Sequence, residues 1–297
     1  MAKTTAQPAA TGWDYSSIIS SSQILGQDET IIKILRYLRL GYPIMIYGPP
    51  GNGKTTLAMH ILNCTGGAGS FELIEATEGT TEYQLIGGFH PLALSSGRLA
   101  EKNVFKDGAV TRAIRQGRNL LIDEFTRAPT SAYSGLFLLL STGQLPLEHE
   151  EKVLARPRGW NVIVTANLGD DGTFKISSAL KRRFIPVYMG YPSRDAELEI
   201  LRSRIPGLPQ SVYDAILNFA ESTRKAYIED KSLPQGLSPD GEIKMASYCS
   251  LAMSEGTDAK TAFIDSAFQQ AVIIADETDW SSVSMVQEMA MGVAKKL

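Results

Sequence analysis

The sequence predicts an α/β fold, in which a five-stranded parallel sheet sandwiched by helices is followed by a smaller all-helical domain. Three observations predict it. Between about residues 23 and 190, short apolar runs alternate with segments of helical periodicity, as parallel strands joined by crossover helices require. A glycine-rich loop separates the first apolar run from the helix that follows it. From Pro192 onward, only helical patterns remain.

Each predicted strand is an apolar run bounded by polar or turn-forming residues. The runs at 43–47 and 160–167 are predicted to be buried strands. The runs lie at 43–47, 71–76, 119–125, 160–167 and 185–188.

The helices between these strands are predicted from the spacing of their apolar residues. The first has an apolar stripe at Ile31, Ile34, Leu35 and Leu38, which is the spacing of one helix face. Further helices are predicted at 54–63, 80–86, 109–116, 133–140 and 177–181. Two stretches rich in turn residues, near 88–107 and 144–157, are predicted to be hairpin-like insertions.

The sequence predicts that the chain has three parts: a flexible leader, the α/β domain and a helical lid domain. Residues 1–22, rich in Ala, Thr, Ser and Gln, form the leader, which is expected to become ordered only towards Trp13 and Tyr15. Residues 23–190 form the α/β domain and residues 191–297 the helical lid. Helices of the lid are predicted at 193–204, 210–227, 240–254, 258–274 and 280–295.

Composition is that of a soluble globular protein, with 297 residues of which 43% are hydrophobic and 21% charged. The formal net charge of -3 gives no general attraction to a polyanion, which argues against a dedicated nucleic-acid binder but is compatible with a local basic patch. No apolar stretch approaches the roughly 20 residues of a membrane span. The N-terminus also lacks the apolar region of a signal peptide, so we expect a cytoplasmic protein.

The few cysteines and histidines argue against metal and nucleophile chemistry. Cys64 and Cys249 lie far apart and are predicted to be reduced thiols. His60, His90 and His149 have no ligand spacing. No serine or cysteine stands in a recognisable nucleophile motif.

The strongest motif is the glycine-rich loop after the first predicted strand. It consists of Gly48, Pro49, Pro50, Gly51, Asn52, Gly53, Lys54 and Thr55, with Thr56 continuing into the helix. Glycines at these positions allow tight turns in which successive N–H groups point at a phosphate chain. Lys54 would reach the β- and γ-phosphates, the Thr55 hydroxyl would ligate Mg²⁺, and the helix N-terminus would face the anion. The alternative is a turn that only joins strand to helix, and the complete motif with both flanking elements favours a phosphate loop for ATP or ADP.

The predicted strand at 119–125 ends on two carboxylates, Asp123 and Glu124. In open parallel sheets, ligands bind beyond the carboxyl ends of the strands. Asp123 would therefore hold Mg²⁺ through its water shell, and Glu124 would polarise the attacking water. The alternative is that both residues cap the next helix, and the phosphate loop about 70 residues upstream favours the site role.

The strand at 160–167 ends on an amide, that of Asn167. This side chain would lie beside the carboxylates and bond the γ-phosphate or the water. The alternative is a turn-forming asparagine before Gly169.

Together, the phosphate loop, the acidic strand end, Asn167, Arg182-Arg183-Phe184 and the helical lobe resemble the AAA+ ATPases over most of residues 23–275. Three features look like the MoxR type, which includes gas-vesicle N proteins and the activase-like ATPases that serve rubisco and nitric oxide reductase. They are Leu25-Gly26-Gln27 before the first strand, the insertion near 88–107, and the segment from Asp123 to Arg127.

The resemblance implies roles for individual residues. Lys54 and Thr55 belong to the Walker A loop, Asp123 and Glu124 to the Walker B pair, Asn167 is sensor 1, and Leu25 and Gly26 contribute to the nucleotide site. Arg183 matches the arginine finger, which stabilises γ-phosphate charge in a neighbouring subunit. Two alternatives stay open: an arginine paired at the boundary of the lobes, and an exchange of roles with Arg182. Arg127 would face a subunit interface or be an ordinary charge at a helix start.

One feature departs from the family pattern. The family usually has a Ser-Pro-Arg context in the helical lobe, whose arginine reaches the γ-phosphate. Here Ser238-Pro239 is followed by Asp240 and Gly241, and Lys244 is the nearest basic residue. The resemblance therefore leaves the sensor-2 role unassigned and implies slow hydrolysis or weakly coupled lobe closure.

The resulting hypothesis is an ATP-driven remodelling ATPase. The resemblance implies that its subunits form a ring, a hexamer, that acts on a protein client, for which a von Willebrand A domain protein is one candidate. The two insertions would project towards the pore or the client. The alternatives are a DNA-acting motor or loader and an ATP-gated structural subunit with little turnover.

Overall fold

The computed structural model describes residues 12–22, 24–66, 71–89, 105–147, 153–167, 182–275 and 279–297. The chain divides into two compact units. The first comprises Met1–Ile24, Asp28–Gly48 and Lys54–Met189, and the second comprises Leu25–Gln27, Pro49–Gly53 and Gly190–Leu297.

A five-stranded parallel sheet forms the centre of the first unit, and all five predicted strands belong to it. The described strands are, in chain order, β1 Ile44–Tyr47, β2 Phe71–Glu75, β3 Gly87–Phe89, β4 Phe105–Asp107, β5 Asn119–Asp123, β6 Gln144–Leu145, β7 Leu154–Ala155, β8 Val162–Ala166 and β9 Ile185–Tyr188. The order of the five-stranded sheet is β2-β5-β8-β1-β9. Strands distant in sequence are neighbours in this sheet, so the polar ends of β5 and β8 meet at one edge.

Helices cover both faces of the sheet, as the apolar runs predict. Alternate residues of β5 point to opposite faces: Leu121 packs in one core cluster with Leu57, while Leu120 packs in another with Leu136. All four side chains are fully buried. The helices of this unit are Tyr15–Ser20, Asp28–Arg39, Lys54–Thr65, Glu82–Leu85, Ala109–Arg115 and Ser134–Thr142, with 3₁₀ turns at Phe125–Arg127 and Thr130–Tyr133.

Both stretches predicted as hairpin-like insertions begin and end in antiparallel strand pairs. Strand β3 pairs with β4, and β6 pairs with β7. Residues 90–104 and 148–152, with His90 and His149, lie outside the described residues, as does the helix predicted at 177–181.

The end of the predicted leader contains a short helix, in the part that was expected to become ordered. Residues Tyr15–Ser20 form this helix, and its first N–H groups are capped by the Asp14 carboxylate. Ile18 is buried in the same cluster as Ile31 and Ile34. This apolar contact holds the helix on the first unit.

The second unit is helical after Gly190, as predicted. Its helices are Arg194–Arg204, Gln210–Ile228, Pro239–Ser254, Ala259–Ile274 and Trp280–Ala294. They enclose one core that includes Phe219 and Phe263, whose rings meet edge to face at 6.1 Å. Among the helices that the structure describes, none is long and apolar enough to cross a membrane.

Candidate functional site

The polar residues predicted at the carboxyl ends of the strands lie together in the first unit. Strand β8 lies between β5 and β1 in the sheet, so Asp123 at the end of β5, Asn167 after β8 and Gly48 after β1 lie at the same edge. The site therefore lies at the edge where ligands of open parallel sheets bind.

Lys54 and Thr55 begin the helix after β1, and both side chains make hydrogen bonds at this edge. The Lys54 Nζ donates to the Gly48 carbonyl oxygen at 3.1 Å, and the Lys54 residue is only 7% exposed. The Thr55 hydroxyl donates to Asp123 Oδ1 at 2.7 Å. The ammonium and the hydroxyl are thus held at the helix N-terminus, where an anion is favoured. Thr56, the next residue, is exposed.

The tip of the loop, Pro49–Gly53, belongs to the second unit. Gly51 and Gly53 have φ angles of 68° and 88°, in the left-handed region that glycine adopts without strain. The Asn52 Nδ2 donates to the Gly190 carbonyl oxygen at 3.4 Å. Gly51 and Gly53 therefore occupy positions whose left-handed backbone conformation is unfavourable for other residues.

Thr165 organises the acidic residues, and the sequence analysis missed it. Its hydroxyl donates to Asp123 Oδ1 and accepts a hydrogen bond from the Glu124 N–H at 3.1 Å. A signal was present in the sequence. Thr165 lies two residues before Asn167, and residues two apart on a strand point to the same face.

Glu124 is held by two neighbours. The Asn167 Nδ2 donates to its Oε1 at 2.9 Å and to its Oε2 at 3.2 Å. The Arg127 Nε donates to Oε2 at 3.1 Å across an ion pair in which the Arg127 side chain is 46% exposed. Glu124 itself has a φ of 52°, which is uncommon for a residue other than glycine and turns the chain sharply after β5. Arg127 therefore lies in a 3₁₀ turn and contacts Glu124, a contact that the sequence analysis did not predict.

Asn167 has one unused hydrogen-bonding atom. Its residue is 6% exposed, and within the described part of the chain its Oδ1 is buried with no hydrogen-bond partner. A buried amide oxygen without a partner is unfavourable by about 1–3 kcal/mol. Such an atom favours a ligand donor, for example a water bound at the site.

The residues around Thr55 and Asp123 fit a magnesium ion. Mg²⁺ prefers oxygen ligands, keeps several waters, and is usually bound by one or two carboxylates together with substrate phosphates. The Thr55 hydroxyl and the Asp123 carboxylate supply two such oxygens 2.7 Å apart. No cluster of three or more His, Cys, Asp or Glu side chains suited to a metal occurs among the described residues. The donor set is thus that of an open site completed by phosphate and water.

Arg183 and Arg182 do not join this group of residues. The Arg183 Nε donates to the Ser141 hydroxyl at 2.8 Å, and its guanidinium lies over the Phe137 ring at 5.7 Å from the centroid. Both partners belong to helix Ser134–Thr142. Arg182 is exposed. Arg183 is therefore presented on one side of the first unit rather than in its own site.

Leu25 and Gly26, which the resemblance assigns to the nucleotide site, lie in the second unit, as does the unassigned sensor-2 position. At Gly26, with a φ of 71°, an added Cβ would come within 2.8 Å of the Ala196 side chain, so the turn from Leu25 packs closely on helix Arg194–Arg204. At the position of the missing sensor-2 arginine, the Lys244 ammonium pairs with Asp240 at 2.6 Å, and both side chains are more than half exposed. Lys244 is thus engaged on its own helix.

Comparisons with known proteins agree with this geometry. Residues 43–184 match the family model described as an AAA domain of the dynein-related subfamily. The uncharacterized protein SH1500 of Staphylococcus haemolyticus is 25% identical over 283 residues, which are 90% of this chain and 98% of that protein. The uncharacterized protein YehL of Escherichia coli is 28% identical over 240 residues, 73% of this chain and 65% of that protein.

A likeness among solved structures extends to the fold. A mutant RuvB of Thermotoga maritima superposes with a TM-score of 0.50 at 12% identity, covering 86% of this chain and 78% of that one. The family match runs from the start of β1 to the residue before β9, so it includes the phosphate loop, the acidic strand end and Asn167. Residues 43–184 of the chain are therefore similar in sequence to an AAA domain.

Proposed function

We propose that this protein is a magnesium-dependent ATPase of the MoxR type, which works as a ring of subunits on a protein client. The observation that carries the proposal is the pairing of Thr55 with Asp123 and of Glu124 with Asn167 at the ends of neighbouring strands. Phosphoryl transfer to water needs a site for the metal and phosphates and an oriented water nucleophile. The first pair would supply the metal site, and the second would orient the water.

Each residue of the site has a distinct task in this proposal. The Lys54 ammonium exchanges the Gly48 carbonyl for the β- and γ-phosphates, where its charge is better compensated. Thr55 and Asp123 hold Mg²⁺, which supplies charge neutralisation at the phosphates. Thr165 keeps Asp123 oriented through its hydroxyl.

Glu124 is the residue that orients the attacking water. A carboxylate has about four acceptor sites. The Asn167 amide and the Arg127 guanidinium together make three contacts with it, which leaves room for one water. The Asn167 Oδ1, which has no partner among the described residues, is a further acceptor for that water.

The ring is proposed from the position of Arg183. Its guanidinium lies against helix Ser134–Thr142 and not in its own site, as expected of a residue that serves the site of the next subunit. A planar, permanently charged guanidinium suits the three equatorial oxygens of a transferring phosphoryl group. The subunit number, which we propose as six, and a client with a von Willebrand A domain rest on family resemblance.

The test is Glu124→Gln, which keeps the shape of the side chain and removes its charge. We expect ATP binding to persist and steady-state hydrolysis to fall by about 100-fold or more, since a positioned base contributes that much. Phosphate release and ATP retention on the purified protein give the two readings. The matched control is Glu78→Gln, because Glu78 is an exposed carboxylate of the same unit. An unchanged hydrolysis rate in Glu124→Gln would remove Glu124 from its role.

A further inference from the structure

The second unit contains a buried cluster of three charged side chains. The Arg224 guanidinium donates to Glu197 at 2.7 Å and to Glu242 at 2.6 Å. Arg224 is 8% exposed, Glu197 2% and Glu242 1%. Charged residues of these types are almost never fully buried unless they are paired, and losing one partner of such a group is strongly destabilising. The cluster is therefore a strong local constraint.

Arg224 also fixes two segments of irregular backbone. Its Nε donates to the Leu237 carbonyl oxygen at 2.8 Å, and its guanidinium lies 4.0 Å from the centroid of the Tyr191 ring. The Leu237 N–H in turn donates to the Thr223 hydroxyl, the residue beside Arg224, at 3.0 Å. One guanidinium thus ties the segment at Tyr191 to the segment that leads into helix Pro239–Ser254.

The phosphate-loop tip touches the residues next to these two anchor points. The Asn52 amide donates to the carbonyl of Gly190, which precedes Tyr191. A Cβ at Gly51 would lie 2.6 Å from the hydroxyl oxygen of Ser238, which follows Leu237, so the Gly51 backbone is in close contact with Ser238. Both contacts of the loop tip are therefore one residue away from a group that Arg224 holds.

The cluster has two carboxyl groups for one guanidinium, which favours the uptake of a proton. Burial, with the neighbouring Glu197 carboxylate, raises the pKa of Glu242 to about 8 against the opposing effect of Arg224. Burial also raises the pKa of Glu197, which Glu221 and Arg194 face with opposite effects. Both carboxyls accept hydrogen bonds from the same guanidinium, so they titrate as a pair. At a pH where both carboxyls are ionised, the second buried negative charge would repel Glu197 and drive Glu242 and the start of its helix away from it.

We propose that Arg224 is a positioning residue for nucleotide binding, because it holds the two segments that contact the phosphate-loop tip. These segments are held most tightly when the Glu197–Glu242 pair shares one proton. The inference rests on the proposed function, because it concerns the same loop. It concerns how firmly the loop is held, whereas the proposed function concerns what the loop binds and how it is cleaved.

The decisive variant is Glu242→Gln, which imitates the protonated carboxyl and cannot ionise. ATP affinity with Mg²⁺ would be measured by calorimetry at pH 7 and pH 9 in the Glu124→Gln background, so that ATP stays intact. In that parent we expect affinity to fall about tenfold from pH 7 to pH 9, since only about a tenth of the molecules keep the proton at the higher pH. Glu242→Gln should bind as the parent does at pH 7 and lose no affinity at pH 9.

A second variant tests the guanidinium itself. Arg224→Lys keeps the charge but replaces three separate donor nitrogens with one, which is too compact to reach both carboxyls and the Leu237 carbonyl in their positions. We expect ATP affinity about tenfold or more below that of the parent at pH 7. The matched control is Arg202→Lys, an exposed arginine on helix Arg194–Arg204 that bonds Gln210. If Arg224→Lys fails to fold, the pH comparison with Glu242→Gln decides alone.

The outcomes separate the inference from the proposed function. An equal loss of affinity at pH 9 in the parent and in Glu242→Gln, or parental affinity in a folded Arg224→Lys, would overturn the inference. Absence of ATP binding in the parent at both pH values would instead overturn the proposed function.

Discussion

At the scale of single residues, the hydroxyl of Thr165 contacts both acidic residues of the site and fixes their relative positions. It is 2% exposed, donates to Asp123 and accepts from the Glu124 N–H. Because Glu124 stands in the left-handed region, its N–H cannot continue the regular pattern of the strand, and the Thr165 hydroxyl takes its hydrogen bond.

Replacing Thr165 by the isosteric valine removes both hydrogen bonds without opening a cavity. We expect a loss of about 1–3 kcal/mol in the free energy of unfolding. We also expect a fall of about 10- to 100-fold in the hydrolysis rate, the usual effect of losing a residue that orients a metal ligand. Denaturant unfolding and phosphate release measure the two effects. Thr165→Ser, which keeps the hydroxyl, should recover most of both; parental hydrolysis in Thr165→Val would show that the hydroxyl orients nothing.

At the scale of elements, the central strands were predictable because burial on both faces requires apolar side chains at successive positions. In β5, Leu120 and Leu121 face opposite cores and both are fully buried, so the run has no polar interruption until Asp123. The same reasoning identified the polar strand ends, since parallel strands bring these ends to one edge of the sheet.

Other elements were not predictable because their causes lie in tertiary contacts. The helix Tyr15–Ser20 has a polar sequence and is held by the burial of Ile18. The contact of Arg127 with Glu124 depends on the left-handed conformation of Glu124. The sequence did not indicate this conformation because the residue is not a glycine. Arg224 could not be identified as buried from the sequence, because an arginine is usually exposed unless a specific partner is present.

An aromatic stack links the acidic turn to the segment of Arg183. The Phe125 ring stacks on Tyr133 at 4.2 Å and meets the Phe184 ring at 5.4 Å. The Tyr133 hydroxyl donates to the Phe125 carbonyl oxygen at 2.8 Å, and burial raises the pKa of Tyr133, which keeps it a neutral donor. The residues that follow Glu124 and Arg183 are thus packed in one core cluster.

At the scale of the whole molecule, the proposed ring makes a prediction about mixed assemblies. Arg183→Ala and Lys54→Ala should each be inactive alone, because one lacks the finger and the other the phosphate contact. Mixed in equal amounts, they should recover about a quarter of the parental sites, those in which an intact loop meets an intact finger at a head-to-tail interface. The measurement is the hydrolysis rate against mixing ratio.

The matched control for mixing is Arg182→Ala in place of Arg183→Ala. We expect it to hydrolyse ATP alone, since Arg182 is exposed and lacks the ordered contacts with Ser141 and Phe137 that hold Arg183. A rate that stays at zero for every mixture of Arg183→Ala with Lys54→Ala would contradict the shared site.

The central claim is that the loop from Gly48 to Thr55 binds ATP with Mg²⁺ for hydrolysis. Calorimetric titration of the chain and of Lys54→Ala with ATP and Mg²⁺ tests it most directly. We predict saturable binding to the parent and an affinity about 10- to 100-fold lower in Lys54→Ala, the effect of losing a charged contact. Equal binding by the two proteins, or no binding by either, would contradict the claim.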